Sequence, residues 1–325
     1  MNGGRTLKVK DIEFTSTQHV IDEIRDMNVK GGSPFGRAAA WAYKLALEKE
    51  NFNSLNEIIE RFDKISDELI SLKPTMATIY NTKELVYELL NTFNDNTDIA
   101  TVKSKAIKLC ENIITHSFDS VSKLGQIGSN IIQDGDVVMM HSYSSTLMSI
   151  FSSAAEQGKK FQVICTESRP LRESRLAVKI LQGHNIPVTY ITDASIWEFM
   201  PKADYIIMGA DTIAWDGSVA NKMGTALISQ LALSCKTPVY IASEIYKLDE
   251  RTKYGHPVVL EKRTKDELII GEDDFDSFDG LEIINQFFDL TPARNITALI
   301  TEYGVIAPSN ISSCWENLKD ELFDI

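Results

Sequence analysis

The sequence predicts an α/β protein: a helical N-terminal domain over residues 1–132, then a doubly wound parallel-sheet domain over residues 133–325. Three observations predict it. Up to about Ile132, apolar residues recur at helical spacing. From Asp134-Gly135-Asp136 onward, short apolar runs alternate with helical segments. Each of those runs ends on polar or ionisable residues, at the strand ends where parallel sheets bind ligands.

The helical part reads in order. Val20, Ile21, Ile24 and Met27 form one apolar face. The stretch Asn28 to Gly36 breaks the pattern, and Arg37-Ala38-Ala39-Ala40-Trp41-Ala42 resumes it with strong helix formers. Amphipathic segments follow over Leu55–Leu72, Thr82–Phe93 and Ile99–Ile131, the last with an expected break near Asp119. Phe93 to Asp98 is a polar loop, and Pro74 stops the helix before it.

The alternating part contains five expected strands. Val137–Met140 leads to His141 and Ser142, and Phe161–Cys165 leads to Glu167 and Arg169. Pro187–Thr192 reaches Asp193, Ile206–Gly209 reaches Asp211, and Pro238–Ala242 reaches Ser243 and Glu244. One polar residue at a strand end is an ordinary helix cap. Five successive polar ends make a shared functional cleft the better reading. The run after Asp211 passes through the tight Asp216-Gly217 turn to Asn221 and Lys222, where a helix is expected to begin. A carboxylate facing a cation and free helix amides can hold a phosphorylated molecule and move its protons.

The chain lacks GxGxxG after its first strand and lacks a P-loop, so the anion apparatus must come from elsewhere. Asn221 and Lys222 are candidates, with Arg169, Lys30, Lys73 and Lys247 beside them. Lys30-Gly31-Gly32-Ser33-Pro34 could form a phosphate cradle of bare amides, but from the residues alone an ordinary interhelix turn is the favoured reading. Lys73 reads as a phosphate ligand or as a cation at a helix C-terminus.

Composition narrows the function classes. A net charge of −13 argues against nonspecific binding to nucleic acid or anionic membrane. The four cysteines form no CxxC pair, which argues against zinc and against a disulfide framework. Cys165 and Cys235 read as small buried hydrophobes. No metal is expected, since His19, His116, His184 and His256 lack ligand spacing. Met1-Asn2-Gly3-Gly4-Arg5 has no signal-peptide core and no run approaches a membrane span, so a cytoplasmic protein is expected.

Several motifs in this order resemble the initiation factor 2B-like family. They are Gly36-Arg37-Ala38-Ala39, Thr166-Glu167-Ser168-Arg169-Pro170, Gly209-Ala210-Asp211 and Gly217-Ser218-Val219-Ala220-Asn221-Lys222-Met223-Gly224-Thr225. Glu244-Ile245-Tyr246-Lys247, Phe288-Asp289-Leu290-Thr291-Pro292 and Ile300 to Ile306 complete the series. That family contains the regulatory alpha, beta and delta subunits of the translation factor. It also contains isomerases of ribose 1,5-bisphosphate and of methylthioribose 1-phosphate. The match covers nearly the whole chain, and length and tail are most similar to the ribose 1,5-bisphosphate isomerase pattern.

The resemblance implies a helical N-terminal domain on a Rossmann-like sugar-phosphate-binding domain, assembled as a homo-oligomer (dimer or hexamer), with no cofactor. It implies an aldose–ketose isomerase acting on a pentose 1-phosphate, with Asp211 shuttling the proton and Ser142 and His141 assisting ring opening. Lys30, Gly31, Gly32, Lys73, Ser144, Glu167, Arg169, Asn221, Lys222 and Lys247 would bind the substrate.

Three positions depart from the isomerase pattern. Ser142 stands where the isomerases carry a catalytic cysteine, Lys30-Gly31-Gly32 replaces Arg-Gly-Ala, and Lys73 replaces an arginine. A hydroxyl needs a separate base where a thiol is readily tuned, and lysine lacks the bidentate fork of arginine. His141-Ser142-Tyr143-Ser144 and Glu167-Ser168-Arg169-Pro170 lean instead toward the translation-factor members. The alternative they imply is a non-catalytic regulatory subunit that binds a sugar phosphate or nucleotide and pairs with initiation factor 2 subunits.

Overall fold

The computed structural model describes residues 12–94, 96–269 and 280–324, so the reading of Met1 to Arg5 lies outside the described residues. Among the described residues five helices come first: α1 (Thr17–Arg25), α2 (Gly32–Lys49), α3 (Leu55–Leu72), α4 (Ala77–Leu90) and α5 (Ile99–Ser129). Local signals start three of them. Ser16, Ser54 and Asp98 cap α1, α3 and α5, each accepting a backbone N–H of the first turn. The helix α4 has no such cap, and its start lies five residues before the expected Thr82. The Ala77 N–H donates instead to the Thr212 hydroxyl at 3.2 Å, a partner far along the chain. The break expected near Asp119 does not occur, because α5 runs through it on one buried stripe that includes Ile113, Ser117, Ser120 and Leu124.

The alternating part follows: β1 (Val137–Met140), α6 (Ser145–Glu156), β2 (Gln162–Thr166), α7 (Ser174–Gly183), β3 (Val188–Ile191), the short α8 (Ile196–Phe199) and β4 (Tyr205–Gly209). Next come β5 (Thr212–Ala214), β6 (Val219–Lys222), α9 (Thr225–Cys235), β7 (Val239–Ala242), β8 (Leu248–Asp249), β9 (Lys262–Arg263) and β10 (Asn285–Gln286). The chain closes with β11 (Phe288–Thr291), β12 (Ala298–Thr301), β13 (Gly304–Ile306) and α10 (Ile311–Leu322).

The fold is mixed α/β, with a helical N-terminal region and a C-terminal sheet dominated by parallel pairing. Among the described residues the main sheet has seven strands in the order β13-β12-β7-β4-β1-β2-β3, and only the β12–β13 pair of these is antiparallel. The five expected strands are all in it. The sixth and seventh, β12 and β13, lie beyond the segment that alternates regularly with helices. A smaller sheet, β11-β6-β5-β8, carries the other surprise. Asn221 and Lys222 lie on β6, paired antiparallel with β5, so the stretch after Asp211 is a hairpin and not the expected strand-to-helix passage. The helix begins only at Thr225.

Alternation along the strands gives the sheet two apolar faces. Met139, Ile164, Ile206 and Met208 join one core that continues into α1 to α5. Val138, Met140, Val163, Cys165 and Ile207 pack on the opposite face against α6 and α7. Cys165 is buried as expected, whereas Cys235, at the last turn of α9, is only half-buried. Among the described residues, no helix is long and apolar enough to cross a membrane.

Candidate functional site

Strand order places the site. From β1 the chain winds outward to β2 and β3, then returns to the other side of β1 for β4 and β7. The loops after β1 and β4 therefore diverge, and a crevice opens between them at the strand C-terminal ends. Ser142 follows β1 and Asp211 follows β4.

Two connected spaces meet at Asp211. The smaller is bordered by Lys30, Gly31, Gly32 and Ser33 at the start of α2, by Ser144 and Ser145 at the start of α6, and by Ala210, Asp211, Asn221 and Lys247. Gly31 has φ 94°, a left-handed backbone that glycine adopts without penalty. A Cβ on Gly32 would lie 3.0 Å from the Asp211 carbonyl and 3.1 Å from Lys247 Cε, so the chain there passes against the site as bare backbone. Lys247 is buried and donates to the Ala210 carbonyl at 2.9 Å. Asn221 is held by donation to the Thr225 hydroxyl at 2.9 Å. Two helix N-termini, two lysines and a carboxamide are a suitable cradle for a phosphate.

The larger space is a cavity of about 730 Å³. Its polar lining includes Lys30, Lys73, Ser142, Glu173, Asp211, Lys222 and Arg263, with Asn28 and Tyr143 beside them, and much of the rest is apolar, with Met27, Phe35, Met76, Phe287 and Phe288 among it. Ser142 has φ 65°, a strained conformation for a residue other than glycine and one found at functional sites. Its N–H donates to Ser168 Oγ at 2.7 Å, which fixes the turn after β1.

Charge is arranged closely around Asp211. The surrounding protein pushes its carboxyl above the ordinary aspartate value. Lys247 and Lys222 oppose that shift, and Glu173 adds to it. Lys222 is buried, with Nζ 2.5 Å from Glu173 Oε1 and 3.4 Å above the Phe287 ring. Burial pulls its ammonium below the ordinary lysine value while Glu173 pulls the other way. Lys73 caps the end of α3, with Nζ 2.8 Å from Met27 Sδ, and burial lowers its pKa too. Glu261 and Glu267 act on Lys73 through space, opposing the effect of burial. Arg263 is already engaged by Glu261 and Glu267, each at 3.2 Å. An acid of raised pKa between cations can take up and release a proton next to a bound anion.

Most sequence-predicted site residues border these spaces: Asp211, Ser142, Lys30, Gly31, Gly32, Lys73, Ser144, Asn221, Lys222 and Lys247. Three do not. His141 is fully enclosed, with Nε2 2.9 Å from the Met223 carbonyl and Nδ1 2.6 Å from the Thr166 hydroxyl. Nε2 must therefore carry the proton and Nδ1 accept one; burial also holds the ring below its ordinary pKa. Both nitrogens are spent on structure, and a direct catalytic part for His141 is not carried forward. Glu167 faces Arg172 at 3.3 Å, and Arg169 Nη2 donates to the Leu268 carbonyl at 3.3 Å. Neither borders the cavity or the cradle.

Sequence reasoning missed Glu173, Arg263 and Phe287. Glu173 precedes α7 by one residue and reads as a helix-start acid. The only hint of Arg263 is the basic cluster Lys262-Arg263-Thr264-Lys265. Nothing local marks Phe287, which matters because two cations stack against it, Lys222 at 3.4 Å and Arg263 at 3.7 Å.

Comparison with known proteins bears on this geometry. A family model described as the initiation factor 2 subunit family matches residues 28–308. A ribose 1,5-bisphosphate isomerase from Pyrococcus furiosus is 33% identical over 290 residues, covering 89% of this chain and 90% of its own. The crystal structure of a Pyrococcus horikoshii translation initiation factor eIF-2B superposes with a TM-score of 0.74 at 29% identity, covering 90% of this chain and 97% of its own. The same fold occurs in the tetrameric eIF2B-beta2-delta2 complex of Chaetomium thermophilum, at 14% identity and a TM-score of 0.70 over 93% of each chain.

Proposed function

The chain belongs to the initiation factor 2 subunit family, and from that premise we propose that it is a sugar-phosphate aldose–ketose isomerase of the ribose 1,5-bisphosphate isomerase type. The carrying observation is Asp211, an acid of raised pKa standing between an anion cradle and a cavity large enough for a sugar. Converting an aldose 1-phosphate to a ketose phosphate opens the ring by protonating its oxygen. A proton then leaves C2 and another reaches C1, and the C2 hydroxyl gives up its proton as it becomes the ketone, which balances the one taken by the ring oxygen. Asp211 would carry these protons. The amides of Gly31 and Gly32, with Lys30, Asn221 and Lys247, would hold the 1-phosphate, and Lys73 would meet a second anionic group. Ser142 would contact the sugar from the turn after β1. A homo-oligomer in the cytoplasm belongs to the same proposal.

The test is ³¹P and ¹H NMR of ribose 1,5-bisphosphate and related pentose 1-phosphates incubated with the protein. A ketose phosphate is expected from at least one of them, and unchanged signals from all of them with a folded protein would sink the reading.

One observation favours a second reading. Ser142 stands where the family's isomerases carry cysteine, and a hydroxyl is a poor acid–base group. The protein would then be a regulatory subunit that binds a sugar phosphate or nucleotide in the same cavity. Capture of initiation factor 2 subunits on the immobilised protein would support it, and no capture would remove it.

A further inference from the structure

Behind the cradle lies a carboxylate that the reaction does not use. Glu244 follows β7 and is 1% exposed. Three hydroxyls converge on it: Ser33 at 2.5 Å from α2, Thr146 at 3.2 Å from α6 and Ser117 at 3.2 Å from α5. A carboxylate has acceptor sites for all three, where an amide at this place would offer a single oxygen. Two of the three donors belong to the helix starts that border the cradle. Ser33 follows Gly31 and Gly32, and Thr146 follows Ser144 and Ser145.

The segment carrying Glu244 is itself held at two further points. The Ile245 N–H donates to both oxygens of Glu302, at 3.1 Å each, at the end of β12. Lys247, the cradle's buried cation, reaches the Ala210 carbonyl beside Asp211. Residues 244–247 therefore tie together α2, α6, β12 and the end of β4.

We propose that Glu244 is a positioning residue, which sets the two helix N-termini at the spacing a single phosphate requires. Its effect passes through Ser33 and Thr146 to the backbone amides. Ser117 reaches the same carboxylate from α5, which does not border the cradle, and its hydroxyl also accepts from Arg37 Nη1 at 2.9 Å, a contact made beyond the first turn of α2, so its loss is expected to cost stability and to leave the cradle amides in place. This inference rests on the sugar-phosphate reading of the cradle given above.

Calorimetric titration with ribose 1,5-bisphosphate tests it on four proteins: wild type, Glu244→Gln, Thr146→Val and Ser117→Ala. Thr146 lies outside the cradle lining, so its hydroxyl can affect binding only through Glu244. Thr146→Val is expected to weaken binding by roughly tenfold, and Glu244→Gln by at least as much. Ser117→Ala should lower the melting temperature as Thr146→Val does while leaving Kd within about twofold of wild type. The Thr146 and Ser117 pair keeps the test independent of whether Glu244→Gln folds. Wild-type affinity in Thr146→Val, or equal weakening in Ser117→Ala, would overturn the positioning role. No binding to the wild-type protein would instead overturn the sugar-phosphate reading, and this inference with it.

Discussion

At the scale of single residues, the site follows from where acids and cations stand relative to strand ends. Asp211, Asn221, Lys222 and Lys247 were legible in the sequence because each sits in a short motif next to a strand end. Glu173 was not, because its partner Lys222 lies 49 residues away, and Arg263 was not, because what brings it to the site is its stacking on the Phe287 ring, a contact that only the folded chain makes. Ser142 is the telling position. If the cavity isomerises sugar phosphates, Ser142→Cys supplies a thiol where a weakly acidic hydroxyl stands. Its kcat should then rise on the order of tenfold or more in an NMR turnover assay. Glu302 makes a separate pH prediction. Burial, with repulsion from Glu244, raises its carboxyl to about 8 from an ordinary value of 4.5. Below pH 4.5 the folded and unfolded states both hold the proton. Between 4.5 and about 8 the folded state alone keeps it, so this group's contribution to stability falls as pH rises and levels off above 8. The slope is at most about 1.4 kcal/mol per pH unit. Glu302→Gln has no such group, and its melting temperature relative to wild type should increase steadily from pH 5 to pH 8.5.

At the scale of elements, the parallel strands β1, β2, β3, β4 and β7 were readable because continuous apolar runs of four or five residues have few other uses between helices. The elements that escaped are those whose determinants are tertiary. The start of α4 is completed by Thr212, and the hairpin β5–β6 is pinned on one side by β11 and on the other by β8. The helix α9 shows the same dependence. Its N-cap residue Gly224 offers no side chain, and Asp289, on β11, accepts the N–H groups of Gly224 at 2.7 Å and Ala226 at 3.1 Å. Asp289→Ala should therefore cost about 1–2 kcal/mol, as loss of a helix cap does, although the residue is distant in sequence. Chemical denaturation would show this as a lower midpoint with an unchanged slope.

At the scale of the whole molecule, the helical region and the sheet share one continuous apolar core, in which Phe62 and Ile79 belong with Met139 and Met208. We carry the boundary at residue 132 forward as a proposal about how the chain is divided, with the two parts stabilising each other through that core. Calorimetry of the intact chain should then show a single unfolding transition. Two separated transitions would mean that each part is stable alone. The arrangement also explains why the site lies where it does. The cradle is built from α2 on one side and the ends of β1, β4 and β7 on the other, so neither part has the site without its partner.

In the proposed isomerisation Asp211 moves the protons. The direct measurement is deuterium wash-in: ribose 1,5-bisphosphate in D₂O, with wild type and Asp211→Asn followed side by side by ¹H NMR. A ketose carrying deuterium at C1 is expected with the wild-type protein, and a rate lower by on the order of 10²–10⁴-fold in a folded Asp211→Asn. Equal rates in the two proteins, or a wild-type ketose without deuterium at C1, would contradict it.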